Sequence, residues 1–189
     1  MKFSIIIPAY NSAKYIRKAL DSIKMQTITD YELIVVCDSC KDDTAEIARE
    51  YADKVIEVSF GNEGLTRNAG IDAAEGDWLL FMDDDDCYMH SSVLEIIDKS
   101  LGDDVDVVLF GFIWGAKGYT PPGDWYACWN KCYRRDFVGD IRFTDVKDRS
   151  DVGFKNYIFD KKPRLRSIRD ALYFYDYMRE GSVSWQRGY

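Results

Sequence analysis

Three short aliphatic runs, Ile5–Ile7, Glu32–Val36 and Lys54–Val58, alternate with stretches of helical periodicity, and this alternation limits the fold more than any other feature. After the first run, Ile16, Ala19, Leu20 and Ile23 fall at i, i+3, i+4 and i+7, one apolar stripe on a helix expected from Ser12 to Gln26. After the second, Asp43 and Glu46 have the spacing of a capping box and open a helix carrying Ile47 and Tyr51. After the third, Leu65–Ala74 reads as a helix whose small face, Ala69, Ala73 and Ala74, would pack close to a sheet. A strand "WLLFM", a helix with a Ser92/Glu95 capping box and a strand from Asp106 to Phe112 follow. Strands alternating with helices predict an α/β fold, with a mainly parallel sheet flanked by helices on both faces.

With 189 residues, 47% of them hydrophobic, the chain is long enough for one well-filled domain and short for two. Its N-terminus reads as a strand rather than a signal peptide, and no apolar run approaches the ~20 residues that cross a bilayer. A cytoplasmic protein is expected. A net charge of −8 disfavours nucleic acid as a partner, because phosphate affinity comes from clustered Lys and Arg. Lys161, Lys162, Arg164, Arg166 and Arg169 run the other way. They form either a solvated face or a contact for an anionic lipid headgroup or diphosphate, which would place the protein peripherally at the inner membrane face. Five cysteines, an odd number, argue against a disulfide framework. "CDSC" and "CWNKC" look loosely like a zinc site, but both lie in segments with another explanation.

Open α/β sheets bind ligands beyond the carboxyl ends of their strands. Three polar clusters fall at such ends: "PAYN" after the first strand, "CDSC" after the second and "MDDDD" after "WLLF". Four consecutive aspartates suit a hard divalent cation, Mn²⁺ or Mg²⁺, whose remaining ligands would be water or phosphate oxygens. A metal on a diphosphate neutralises the charge that develops as a nucleoside diphosphate leaves. Neither GxxxxGK[ST] nor GxGxxG is present to cradle phosphates in the usual ways.

"SIIIPAYN", "YELIVVCDSCKDDT", "NEGLTRNAG" and "GDWLLFMDDDD", in that order and spacing, resemble the family 2 glycosyltransferases, nucleotide-sugar-dependent inverting enzymes of the GT-A fold. Downstream, "WNKCYRRDF" and "YDYMREGSVSW" resemble that family's later motifs. The resemblance implies a single GT-A domain over 1–189, with a nucleotide-sugar and metal half over 1–89 and an acceptor half over 90–189. It places Pro8, Ala9 and Tyr10 along the nucleotide base, with Asp38 contacting the base, typically uracil. Cys37 replaces the first aspartate of the family's pair. Arg67 would sit near the nucleotide or the acidic cluster, or serve as a surface ion-pair partner. Asp83 opens the DxD motif, Asp84 approaches the ribose, Asp85 binds the metal, and Asp86 follows as a solvated or supporting residue.

An inverting transferase also needs a carboxylate to take the acceptor hydroxyl's proton. The family's "E-D" pair aligns Asp151 with this base, at a position that also suits a helix N-cap, with Ser150 in place of the Glu. Asp145 and Asp148 are competitors. His90 reads as a loop residue beside the acidic run, and Gly115–Asp124 as a loop at the acceptor side. The QxxRW of processive synthases is absent from these residues. The expectation is therefore transfer of one sugar, from a donor such as a UDP-sugar to a saccharide or lipid-linked acceptor in polysaccharide or glycolipid biosynthesis. A homodimer is compatible with the sequence. The rivals are a haloacid-dehalogenase-like phosphatase, whose Thr or Val after the second aspartate is missing, and a degenerate GT-A protein that binds a nucleotide sugar or partner chain without turnover.

Overall fold

The computed structural model describes residues 1–123, 125–146 and 150–176. In chain order it contains β1 (Phe3–Ala9), α1 (Ile16–Lys24), β2 (Tyr31–Asp38), α2 (Thr44–Arg49), β3 (Lys54–Val58), α3 (Glu63–Ala73), β4 (Trp78–Phe81), β5 (Cys87–Tyr88) and α4 (Val93–Asp98). It continues with β6 (Val107–Trp114), a 3₁₀ turn (Gly115–Lys117), β7 (Gly118–Thr120), β8 (Lys131–Arg134), α5 (Arg135–Val138), α6 (Ser150–Asp160) and β9 (Leu165–Tyr175). One sheet runs β3-β2-β1-β4-β8-β6-β9-β5, with β7 paired to β6.

The first half is parallel: β2 and β4 flank β1, and β3 lies outside β2. Strands buried on both faces need apolar residues at every position, which is why these segments read as continuous aliphatic runs. Successive side chains then divide between two cores. Ile5, Ile7, Leu33 and Val35 join Ile16, Leu20 and Ile23 of α1. Ile6, Ile34, Val36 and Phe81 join Ile71 of α3 and Phe154 and Ile158 of α6. α3 approaches the sheet most closely at Gly70, where a Cβ would stand 2.4 Å from Ile6 Cγ2. Of the expected small face, Ala69 and Ala73 are partly buried against the same core, and Ala74, buried in it, is the C-cap.

The second half is mixed. β8 runs antiparallel to both β4 and β6, while β9 is parallel to β6, with register shifts on either side of Gly111. The parallel expectation thus describes the half that carries the strand-end clusters, and antiparallel pairs close the rest. Gly115–Thr120, expected as loop, makes the 3₁₀ turn and β7. Arg164 and Arg166 of the basic stretch pair with Asp106 and Asp104, and the Lys161 ammonium donates to Phe137 O. Among the described residues no helix is long and apolar enough to cross a membrane.

Neither capping box forms. Asp43 is at the cap of α2 without capping it. Asp42 does the work instead, accepting from the Thr44 N–H at 3.1 Å and the Ala13 N–H at 3.1 Å, while Thr44 Oγ1 accepts from the Ser12 N–H at 2.8 Å. Ser92 meets His90 and Glu95 meets Lys99. The spacing is present in both cases, but Glu46 pairs with Arg49, and at α4 nearer partners take both side chains.

Candidate active site

The carboxyl ends of β1, β2 and β4 converge. Asn11 and Ser39 adopt left-handed conformations (φ 48° and 56°), turning the chain back at the ends of β1 and β2. The loops then bond to one another: the Lys41 N–H donates to Asn11 Oδ1 at 2.8 Å, and the Cys40 thiol donates to Ala9 O at 3.5 Å. Pro8 and Ala9 lie buried in register with Val36 and Cys37, whereas the Tyr10 ring is exposed. The Tyr10 N–H donates to Asp84 Oδ2 at 3.2 Å, which ties the first cluster to the acidic run.

Asp38 is buried, and both its oxygens are engaged by the chain. Oδ1 accepts from the N–H groups of Phe60 (2.8 Å) and Gly61 (3.0 Å) and from Ser39 Oγ (2.9 Å). Oδ2 accepts from the Asn62 N–H (3.0 Å) and Thr66 Oγ1 (2.9 Å). Burial works to raise its pKa, but these hydrogen bonds more than offset that and hold it below the ordinary value. Asp38 therefore builds the Phe60–Asn62 loop bordering the cleft, and any base contact would share oxygens already in use. Asn62 caps α3, accepting from the Leu65 N–H at 3.0 Å.

α3 delivers Arg67 into the centre of the site. Only 1% of its side chain is exposed, yet it meets three carboxylates: Asp83 at 2.8 Å, Asp151 at 3.2 Å and Glu63, one helical turn before it. Its guanidinium also lies 5.5 Å from the Phe143 ring centre. The surface ion-pair alternative for Arg67 is thus set aside by its burial. Asp83 and Asp151 keep 23% and 21% of their side chains exposed, so a ligand can reach both. One guanidinium cannot neutralise so many carboxylates. Burial, first, and then the charges of Glu63, Asp85 and Asp151 push the Asp83 pKa up to about 8 against the pull of Arg67. Burial likewise raises Asp151, with Arg67 opposing.

The four aspartates have four different settings. The Asp86 N–H donates to Asp83 O at 3.2 Å, closing a tight turn. Asp83 faces Arg67, Asp84 faces Tyr10, and Asp85 O accepts from the Lys18 ammonium at 3.3 Å. Asp86, expected as a solvated or supporting follower, is wholly buried and held by Tyr173 and the Asp176 N–H. Among the described residues no three His, Cys, Asp or Glu side chains form a ready-made metal cage. A cation here would need oxygens from water or a diphosphate, and the under-neutralised carboxylates fit that demand.

Asp151 lies inside the first turn of α6 rather than at its cap. Ser150 beside it is buried against α3, where a Cβ on Gly64 would stand 2.7 Å from Ser150 Cβ. Of its competitors, Asp145 is exposed and gives its carbonyl to Asn62 Nδ2, while Asp148 lies outside the described residues, as does most of "YDYMREGSVSW". His90 is exposed beside Ser92. All five cysteines are free thiols. Sequence reasoning missed Tyr173, Lys18 and Glu63. Only Glu63 carried a signal, its i, i+4 spacing to Arg67.

Sheet order and acidic rim define a GT-A type α/β protein. Residues 4–144 match the family described as Glycosyl transferase family 2, and the chain belongs to that family. It is similar to the uncharacterized glycosyltransferase EpsJ of Bacillus subtilis (29% identical, covering 91% of this chain and 60% of EpsJ). It is also similar to the poly(ribitol-phosphate) beta-N-acetylglucosaminyltransferase TarS of Staphylococcus aureus (29% identical, covering 96% of this chain and 36% of TarS). The chain thus spans less than two thirds of the length of these relatives. The crystal structure of S. aureus TarS 1-349 in complex with UDP-GlcNAc superposes with a TM-score of 0.84 at 28% identity, covering 100% of this chain and 62% of that one. The mannosyltransferase PcManGT from Pyrobaculum calidifontis, in complex with GDP-Man and Mn²⁺, shares the fold (TM-score 0.80, 15% identity, covering 98% of this chain and 59% of that one).

Proposed function

We infer that this chain transfers one sugar from a nucleotide sugar, with a UDP-sugar the leading donor, to an acceptor hydroxyl with inversion, in polysaccharide or glycolipid biosynthesis. The observation that carries this reading is the joining of Asp83 and Asp151 through one buried Arg67 at the ends of parallel strands. The UDP-GlcNAc complex of TarS supports the donor class. Residues 1–89 then form the donor half and the remainder the acceptor half of one domain.

Pro8, Ala9 and Tyr10 border the base, and Asp38 fixes the loop opposite. Asp85, with Asp83, would hold Mn²⁺ or Mg²⁺, which when bound neutralises charge on the departing diphosphate. Asp84, tied to the Tyr10 N–H, approaches the ribose. Asp151 takes the proton of the acceptor hydroxyl as that oxygen attacks the anomeric carbon from the face opposite the diphosphate. Arg67 orients Asp151 and favours its ionised form against the effect of burial.

Asp151→Asn should leave Mn²⁺-supported UDP binding intact and cut release of UDP from the sugar donor by about 10²–10⁴-fold. Undiminished turnover would place the base elsewhere, and the anomeric configuration of the product, read by NMR, tests inversion. Ser150 in place of the family's Glu favours one second reading, a degenerate protein that binds the nucleotide sugar without turnover. UDP binding with no sugar release from any UDP-sugar would establish it.

A further inference from the structure

The acidic turn is gripped from behind by the end of β9. The Asp83 N–H donates to Tyr173 Oη at 3.0 Å, and that hydroxyl donates onward to Asp86 Oδ2 at 2.7 Å. The other oxygen of Asp86 accepts from the Asp176 N–H at 2.8 Å. The Lys18 ammonium bridges the same two segments, meeting Asp85 O at 3.3 Å and Asp176 Oδ2 at 3.1 Å. The Trp129 ring stacks on Tyr173 at 4.6 Å between centroids with an 8° tilt, so the phenol has little freedom to turn. Both ends of the turn are therefore fixed through one hydroxyl, and the residues between them are Asp84 and Asp85.

The geometry points to Tyr173 and Asp86 as a positioning pair that holds Asp83 and Asp85 at the spacing a divalent cation and a diphosphate require. Asp86 is a buried anchor in this arrangement and not a metal ligand. The inference rests on the metal-dependent donor site described above. Partners that orient metal-binding groups commonly matter about 10–100-fold to metal affinity.

The test is calorimetric titration of UDP into the 189-residue chain, in EDTA and in Mn²⁺, for the unaltered protein, Tyr173→Phe, Asp86→Asn and the double variant. Tyr173→Phe removes one oxygen and keeps the stacked ring. The expected result is UDP affinity in EDTA within about two-fold of the unaltered chain, with the gain conferred by Mn²⁺ reduced about 10-fold or more. The double variant should be no worse than the poorer single one, because the two residues act as one unit. A Mn²⁺ gain unchanged in Tyr173→Phe would overturn the inference. So would equal losses in EDTA and in Mn²⁺, which would mark a general packing role. If Tyr173→Phe does not fold, Asp86→Asn carries the same comparison. No Mn²⁺ gain in the unaltered chain would instead overturn the reading on which the pair depends.

Discussion

Arg67 and Asp151, 84 residues apart in the chain, meet with Nη1 at 3.2 Å from Oδ1 in the middle of the site. The other end of the same guanidinium holds Asp83. Breaking a buried ion pair from one side leaves its partners uncompensated, at a cost of about 3–5 kcal/mol. Arg67→Met should lose that much stability in urea unfolding. The loss should be larger at pH 9 than at pH 6, because burial pushes the Asp83 pKa up to about 8. Its protonated form persists at pH 6, and the stability that form supplies disappears as pH rises through about 8. A loss independent of pH would separate Arg67 from these carboxylates.

Gly64 sets how closely the segment before α6 approaches α3. A Cβ there would stand 2.5 Å from Thr144 O and 2.7 Å from Ser150 Cβ, and backbone yields poorly. Gly64→Ala should cost about 1–3 kcal/mol in urea unfolding and slow sugar release by moving Asp151 away from Arg67. Unchanged stability and rate would mean that the two segments slide freely.

The site's outline was legible because parallel strands buried on both faces announce themselves as aliphatic runs, and their polar ends follow directly. What sequence could not reveal depends on the mixed half of the sheet. β9 carries Arg166, Arg169 and Asp170 along its length and has no clean alternation, so nothing marks it as the strand beside β6. Tyr173 consequently gave no sign of lying against Asp86, 87 residues earlier. Asp38 was recognisable as a strand-end residue, but four of its five hydrogen-bond donors arrive from β3's exit loop and α3, which spacing alone cannot bring together; the fifth is the adjacent Ser39. Asp42 outcompeted Asp43 at α2 for a similar reason, since the Ala13 N–H it also accepts comes from the loop after β1.

Asp106 joins the starts of β6 and β9. Arg164 donates to it through Nε at 2.8 Å, Nη2 at 2.6 Å and its backbone N–H at 2.9 Å, and these bonds hold the Asp106 pKa down at about 2. A depressed carboxylate stabilises the fold above its unfolded pKa, about 3.9, and loses that contribution as pH falls toward 2. Asp106→Asn should destabilise by about 1–2 kcal/mol at pH 7, a figure reduced for the exposure of Arg164. In denaturant titrations across pH the gap should narrow below pH 4. A constant gap would contradict the assignment.

Cys40 is the thiol poised to react. Its hydrogen bond with Cys37 lowers its pKa to about 7, whereas Cys37, Cys87, Cys128 and Cys132 are all raised. Iodoacetamide at pH 7 should label Cys40 first, as read by peptide mass spectrometry, with bound UDP slowing the reaction beside Ala9. First labelling at Cys87 would contradict this ordering.

The central claim is a metal-dependent nucleotide site at the ends of β1, β2 and β4, and calorimetric titration of UDP and GDP with and without Mn²⁺ tests it most directly. UDP binding that Mn²⁺ strengthens, with that gain lost in Asp85→Ala, is the predicted result. Failure of both nucleotides to bind, or Mn²⁺-supported UDP binding that survives Asp85→Ala, would contradict it.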